Sequence, residues 1–202
     1  MAFSISFETD YLNVLDILAG AKIPLNSKER GPRQPLVMAG GPATFLNPEP
    51  LADFIDLFLI GEGEEMIPEF LDHYAALDRD EPTRLERLKG LRRVGGAYVP
   101  ALSIPEYGPS GQLVRLSQEG VDSSLFPSPK VARRLVSDLD AYTTGSEMLT
   151  SDTVFGDMYL VEASRGCEWG CRFCAAGFMY RPVRYRSADS ILKQVKKGLR
   201  ER

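Results

Sequence analysis

The hydrophobic and polar positions of this chain switch period several times, and the switches mark its elements. "FSISF" alternates as a short strand, and "DYLNVLDILAGA" carries apolar residues at helical spacing (Leu12, Leu15, Leu18, Ala19). "PLVMAGGP" is a continuous apolar run closed by glycines, as a buried strand would be. "NPEPLADFI" then predicts a helix, with Asn47 as N-cap and Pro48 just inside. "DLFLIGEGEE" repeats the theme, an apolar strand and a glycine turn leading into a helix through "EEMIPEFLDHYAAL". Strand and helix in alternation predict a parallel sheet with crossover helices, the glycine turns lying at the carboxyl ends of the strands where open α/β sheets bind ligands.

From about residue 92 the pattern changes. "RRVGGAYVPAL" and "GQLVRLSQEG" read as short strands around the turn-rich "PEYGPSG", and "LFPSPKVARRLVSDLDAYTTGSE" reads as a connector. From Asp157 the order of strand, loop and helix returns: "DMYLVEAS", then "RGCEWGCRFCAAGFMYRPVRYR", then "SADSILKQVKKGLRER". Ser187 is the predicted cap of that last helix, and Ile191, Leu192, Val195 and Leu199 its apolar face. One strand cannot bury such a face, so residues 157–202 read as the opening unit of something larger, and the chain as a piece of a longer protein. The expected divisions are 1–91, an α/β sheet domain whose first strand and loop are expected to lie upstream; 92–156, a hairpin-rich connector; and 157–202.

Composition narrows the class. An apolar fraction of 44% and a charged fraction of 26% are those of a globular protein. There is no secretory leader pattern and no apolar run near the roughly 18 residues of a membrane span, so the expectation is a cytoplasmic protein with no membrane partner. The net charge of −4 is unevenly spread: residues 159–202 hold ten Lys/Arg against four Asp/Glu, leaving 14 basic and 24 acidic residues before them. A basic helix on an acidic protein explains this, and a face toward an anionic ligand or nucleic acid is the alternative.

All three cysteines, Cys167, Cys171 and Cys174, fall within eight positions. An odd number cannot close an intramolecular disulfide framework, and in a reducing compartment such a cluster points to metal or redox chemistry. Zinc in a structural site needs a fourth ligand, and His73, the sole histidine, lies about a hundred residues upstream in a predicted helix. A redox Cys-x-x-Cys leaves Cys167 unexplained. A 4Fe-4S cube takes one ligand per iron, so three cysteines would leave the fourth iron open to a ligand that is not protein.

The string "CEWGCRFC", with Phe173 immediately before the last cysteine, resembles the cluster signature of the radical S-adenosylmethionine (SAM) superfamily. "SRG" before it, "RPVRYRS" after it and "GGPATFLNPEPLADFIDLFLIGEGEE" in the leading region are similar to the branch carrying a cobalamin-binding-like domain ahead of the radical core, an uncharacterised subgroup. The resemblance implies a Rossmann-like, cobalamin-binding-like domain followed by the first strand, loop and helix of a partial TIM barrel. It implies an enzyme in which Cys167, Cys171 and Cys174 ligate three irons, and the SAM amino and carboxylate groups chelate the fourth. One electron, from a donor such as flavodoxin or ferredoxin, would then cleave SAM to methionine and a 5′-deoxyadenosyl radical. Phe173 would lie near the adenine, its alternative role being core packing beside the loop. The resemblance leaves the substrate open and implies that residues 1–202 alone lack a complete cofactor pocket and are inactive. Cobalamin is a further cofactor it allows, although no Asp-x-His-x-x-Gly motif is present. The glycines at 40, 41, 61 and 63 are expected to serve turns and packing, and Glu62, Glu64 and Glu65 to favour a helix dipole. Arg181, Arg184 and Arg186 are either solvated charge or groups that approach a carboxylate. Two rival readings stay open, a zinc-stabilised binding module and a cobalamin-binding module.

Overall fold

The computed structural model describes residues 1–77, 83–118, 131–146, 148–152 and 154–200. They form two compact units, Met1–Leu135 and Val136–Arg202. The proline pair of the expected connector, Pro127 and Pro129, lies outside the described residues.

The first unit is an α/β mixed sheet of Rossmann-like kind. Its strands β1 (Ala2–Ser4), β2 (Met38–Gly40), β3 (Leu57–Leu59) and β4 (Ala97–Tyr98) are neighbours in that order. The first three are parallel, with Ala2 opposite Met38 and Met38 opposite Leu57, and β4 closes the edge antiparallel, with Phe58 opposite Tyr98. Alternation along each strand sends side chains to opposite faces. Val37, Ala39, Phe58, Ile60 and Tyr98 join one buried cluster; Met38, Leu57, Leu59, Ala97 and Val99 join the other. Both faces are covered, so the strands read as continuous apolar runs.

Helix α1 (Tyr11–Gly20) covers the first face with Leu18 and Leu15, as its pattern suggested, but not with Leu12 and Ala19. Val14 and Leu18 are buried, with Tyr11 and Leu15 half-buried at their side, while Leu12 is 71% exposed and Ala19 is also exposed. The helix carries apolar residues on more than one stripe, and packing chooses the stripe at 11, 14, 15 and 18. The helix expected from Asn47 is also corrected. Helix α2 (Pro42–Leu46) comes first and Asn47 ends it; a single 3-10 turn, Glu49–Leu51, follows, and the Asn47 side chain accepts from the Glu49 amide at 3.1 Å.

Helix α3 (Gly63–Ala76) forms as expected, with Glu64 and Glu65 in its first turn and Pro68 within it. It packs on the second face with α4 (Arg84–Leu91), through Met66, Phe70, Leu88 and Leu91. Asp56, just before β3, is buried and takes Arg30 at 3.1 Å and Arg84 at 2.6 Å. The two guanidiniums also donate to backbone carbonyls of residues 24, 25, 31, 34, 35 and 54, so one carboxylate organises the loop before β2.

The glycine turns do lie at the carboxyl ends of β2 and β3, and their role is steric. Gly41 and Gly61 have φ of 101° and 132°, and a Cβ on Gly61 would meet the Arg134 backbone. There Arg134 donates its amide to the Ile60 carbonyl at 2.9 Å and accepts from the Glu62 amide at 3.0 Å, laying one residue along the end of β3. Its side chain is 2.7 Å from Glu69 and 3.6 Å from Glu65. The two strands expected beyond residue 92 separate: β4 completes the sheet, and β5 (Ser103–Tyr107) pairs antiparallel with β6 (Leu113–Gln118) as a hairpin.

The second unit is built differently. Among the described residues both hydrophobic clusters belong to the first unit, and the second buries few apolar side chains, Val136 and Leu139 among them. The strand expected over 157–164 is not formed. Only Ser164–Arg165 (β7) is a strand, paired antiparallel with Arg184–Tyr185 (β8). Upstream, Val161 makes one isolated bridge to Gly145, and Asp157 has φ of 55°. An apolar run becomes a strand only where a partner segment pairs along its length, and here the bridge at Val161 and single bonds to the Leu160 and Ala163 carbonyls do not join into a ladder.

Short helix α5 (Ala175–Met179) follows the cysteines, and α6 (Ala188–Arg200) ends the described chain. Ser187 caps α6 as expected, its hydroxyl accepting from the Ser190 amide at 3.2 Å. The buried face of α6 is Gln194 and Gly198, with Ile191 half-buried beside them, because the Tyr159 ring lies directly over Gly198. The expected apolar face is turned outward: Leu192, Val195 and Leu199 are 53%, 39% and 71% exposed. The two stripes are one residue apart, a rotation of about 100°.

Candidate metal centre and its loop

The cysteine loop leaves β7 and returns at β8, so one antiparallel pair closes it at the base. Gly166, between β7 and Cys167, has φ of 91°, and a Cβ there would lie 2.5 Å from the Tyr180 carbonyl and 2.6 Å from that of Pro182. Only glycine allows this turn and this approach. Within the loop the Cys174 amide donates to the Cys171 carbonyl at 3.1 Å. Gly177 of α5 is buried beneath the loop, 3.3 Å from the Trp169 carbonyl when a Cβ is placed on it.

Two side chains from the returning segment, Tyr185 of β8 and Arg181 ahead of it, reach the spacer between the first two cysteines. The Tyr185 hydroxyl donates to Glu168 at 3.1 Å, and Arg181 donates to the Trp169 carbonyl at 3.2 Å while lying 4.5 Å above the Phe178 ring. The hydrogen bond to Glu168, and then its charge, push the Tyr185 hydroxyl above its ordinary pKa.

All three thiols are free; Cys171 is exposed, and Cys167 and Cys174 are half-buried. Among the described residues no three His, Cys, Asp or Glu side chains gather closely enough to hold a metal ion. The loop therefore fits an iron–sulfur group in the chemistry of its donors, three unpaired thiols on one loop, and not as a pre-gathered cage. Phe173 is 92% exposed, which overturns the core-packing role and leaves a bare ring beside Cys174. Trp169 and Phe178 are exposed too, at 71% and 53%. His73 lies in the last turn of α3, within the first unit.

The three arginines after the loop separate in role. Arg186 is buried, donating to the carbonyls of Leu139 and Tyr142, to the Thr144 hydroxyl and to Glu162 at 2.6 Å. Arg184 donates to the Val136 and Pro182 carbonyls. These bonds brace the backbone at the base of the loop, and Arg181 donates into the loop itself. The sequence reading did not single out Glu162 or Tyr185; nothing in a local pattern marks a residue whose partner lies 17 to 24 positions away. The basic excess is divided between the segment around the cysteine loop and α6, where Lys193, Lys196 and Arg200 share a cleft of about 920 Å³ with Asp140 and Asp189.

In the first unit a cleft of about 530 Å³ lies at the carboxyl ends of β1–β3, against α3. Its walls are Phe3, Met38, Phe45, Leu59, Met66 and Phe70 with the turn glycines, and no imidazole. No described helix is long and apolar enough to cross a membrane.

Residues 1–100 match the family model described as radical SAM proteins, N-terminal, so this part of the chain is similar to the N-terminal domain of that superfamily. Along 98% of its length the chain is also 24% identical to the uncharacterized protein MJ0966 of Methanocaldococcus jannaschii. The chain spans 34% of that relative's length. No solved structure matches the chain.

Proposed function

We propose that the chain is part of a radical SAM enzyme and that Cys167, Cys171 and Cys174 hold a 4Fe-4S cluster. The observation that carries this reading is the loop itself: three free thiols between β7 and β8, in a chain whose first 100 residues match the superfamily's N-terminal domain. When bound, the cluster supplies the electron that cleaves SAM reductively, giving the hydrogen-abstracting 5′-deoxyadenosyl radical.

The chain's own residues do three things in this reading. The cysteines supply thiolate to three irons, and their number leaves the fourth for the amino and carboxylate groups of SAM. Phe173 offers an exposed flat ring on which a purine can stack. The base of the loop, Gly166 and the β7–β8 pair, holds both ends of the ligand segment together. Flavodoxin or ferredoxin is the class of electron donor, and the outward stripe of α6 is the face that the rest of a longer enzyme would cover. The cleft in the first unit is where a cobalamin-like ligand would lie, if that domain binds one.

Anaerobic reconstitution with iron and sulfide tests the proposal. Brown protein absorbing near about 400 nm, with iron and sulfide bound in equal amounts, is the expected result. Colourless protein that takes zinc and refuses iron and sulfide would overturn it in favour of a structural metal clip.

A further inference from the structure

We infer that Arg181 and Tyr185 are positioning residues that set the Cys-x3-Cys spacer before any metal arrives. The inference rests on the cluster-holding reading and concerns how the apo loop is made ready. The spacer is Glu168, Trp169 and Gly170, and all three are exposed. Exposure leaves them little packing, and Gly170 adds backbone freedom, so an untied spacer would let the Cys167 and Cys171 thiols wander apart.

Two successive spacer residues are tied instead, each by one side chain from the returning segment. Arg181 donates to the Trp169 carbonyl at 3.2 Å, and Tyr185 donates to the Glu168 carboxylate at 3.1 Å. The Arg181 guanidinium is braced by the Phe178 ring at 4.5 Å, and Gly177 lies close to the Trp169 carbonyl, 3.3 Å from where a Cβ would stand. Both tying side chains leave Cys167, Cys171 and Cys174 free for metal. They are also exposed, Tyr185 by 65%, so a core role does not account for them. Removing them costs the fold little and the loop its restraint.

Hydrogen exchange on the reduced apo chain, read by mass spectrometry over residues 167–174, is the direct test. Arg181→Gln and Tyr185→Phe should each raise exchange there by roughly three- to tenfold, the fold-change of one hydrogen bond. The double variant should raise it further, Arg181→Lys should stay near wild type, and exchange in α1 and α3 should not move. After reconstitution the double variant should lose iron to a chelator faster than wild type. Unchanged exchange in the double variant overturns the inference. Wild-type protein that takes up no iron and sulfide overturns the cluster assignment itself, and with it the purpose given to these ties.

Discussion

The Arg186 guanidinium lies 2.6 Å from the Glu162 carboxylate, and this pair is the centre of the second unit. Arg186 has no exposed side-chain surface, and its Nη1 donates to the carbonyls of Leu139 and Tyr142. Glu162 also takes Arg165 at 2.7 Å and the Thr144 hydroxyl at 3.0 Å. A unit that buries so little apolar surface is held by this polar hub, two residues upstream of β7 on one side and next to β8 on the other.

Arg186→Ala should therefore lower stability by about 3 kcal/mol, the cost of breaking a buried charged pair and orphaning its acceptors. Urea unfolding followed by far-UV circular dichroism checks this. A loss under about 1 kcal/mol would show that the hub is dispensable.

The same pair gives the second unit a pH dependence. Burial alone would raise the Glu162 carboxyl, but hydrogen bonds from Arg165 and Arg186 outweigh it and hold the group below its ordinary 4.5. A depressed carboxyl contributes stability that is present above the unfolded value and is lost as pH falls through the folded one. Stability should thus decline below 4.5 in wild type, and less steeply in Glu162→Gln, measured as urea midpoints from pH 7 to pH 3.

Gly166→Ala should cost more than Gly111→Ala. Both positions have positive φ, 91° and 78°, so both variants pay backbone strain of about 1 kcal/mol or more. A Cβ on Gly111 meets nothing within 4 Å, whereas on Gly166 it is driven into the Tyr180 and Pro182 carbonyls. The difference in thermal midpoint between the two variants isolates the steric part. Equal midpoints would remove Gly166 as the hinge of the cysteine loop.

Each of Cys167→Ala, Cys171→Ala and Cys174→Ala should abolish iron and sulfide retention while leaving apo stability nearly unchanged, because none of the three is buried. Phe173→Ala should keep full iron content and shift stability by no more than about 0.5 kcal/mol, since its ring is 92% exposed. Iron and sulfide assays with parallel unfolding curves distinguish ligand from neighbour.

Asp56→Ala should destabilise the first unit by about 3–5 kcal/mol, because it strands Arg30 and Arg84 together below the surface without a counter-charge. Restoring a neutral acceptor as Asp56→Asn should recover part of that loss, and the comparison of urea midpoints shows how much belongs to charge.

The local pattern of residues was enough to place β2, β3 and α3, to put the glycine turns at strand ends, and to pick out the cysteine loop and the Ser187 cap. Those features depend on spacing within a few residues: period two for a strand, 3.6 for a helix, a hydroxyl just ahead of a helix. Folding settled what depends on distant partners. The outward turn of Leu192, Val195 and Leu199 follows from where the Tyr159 ring lands, and the missing strand over 157–163 from the single bridge at Val161. Arg186 became a hub and Arg181 a tether because their acceptors lie 12 to 47 positions away, and no pattern along the chain encodes which carbonyl a guanidinium will meet.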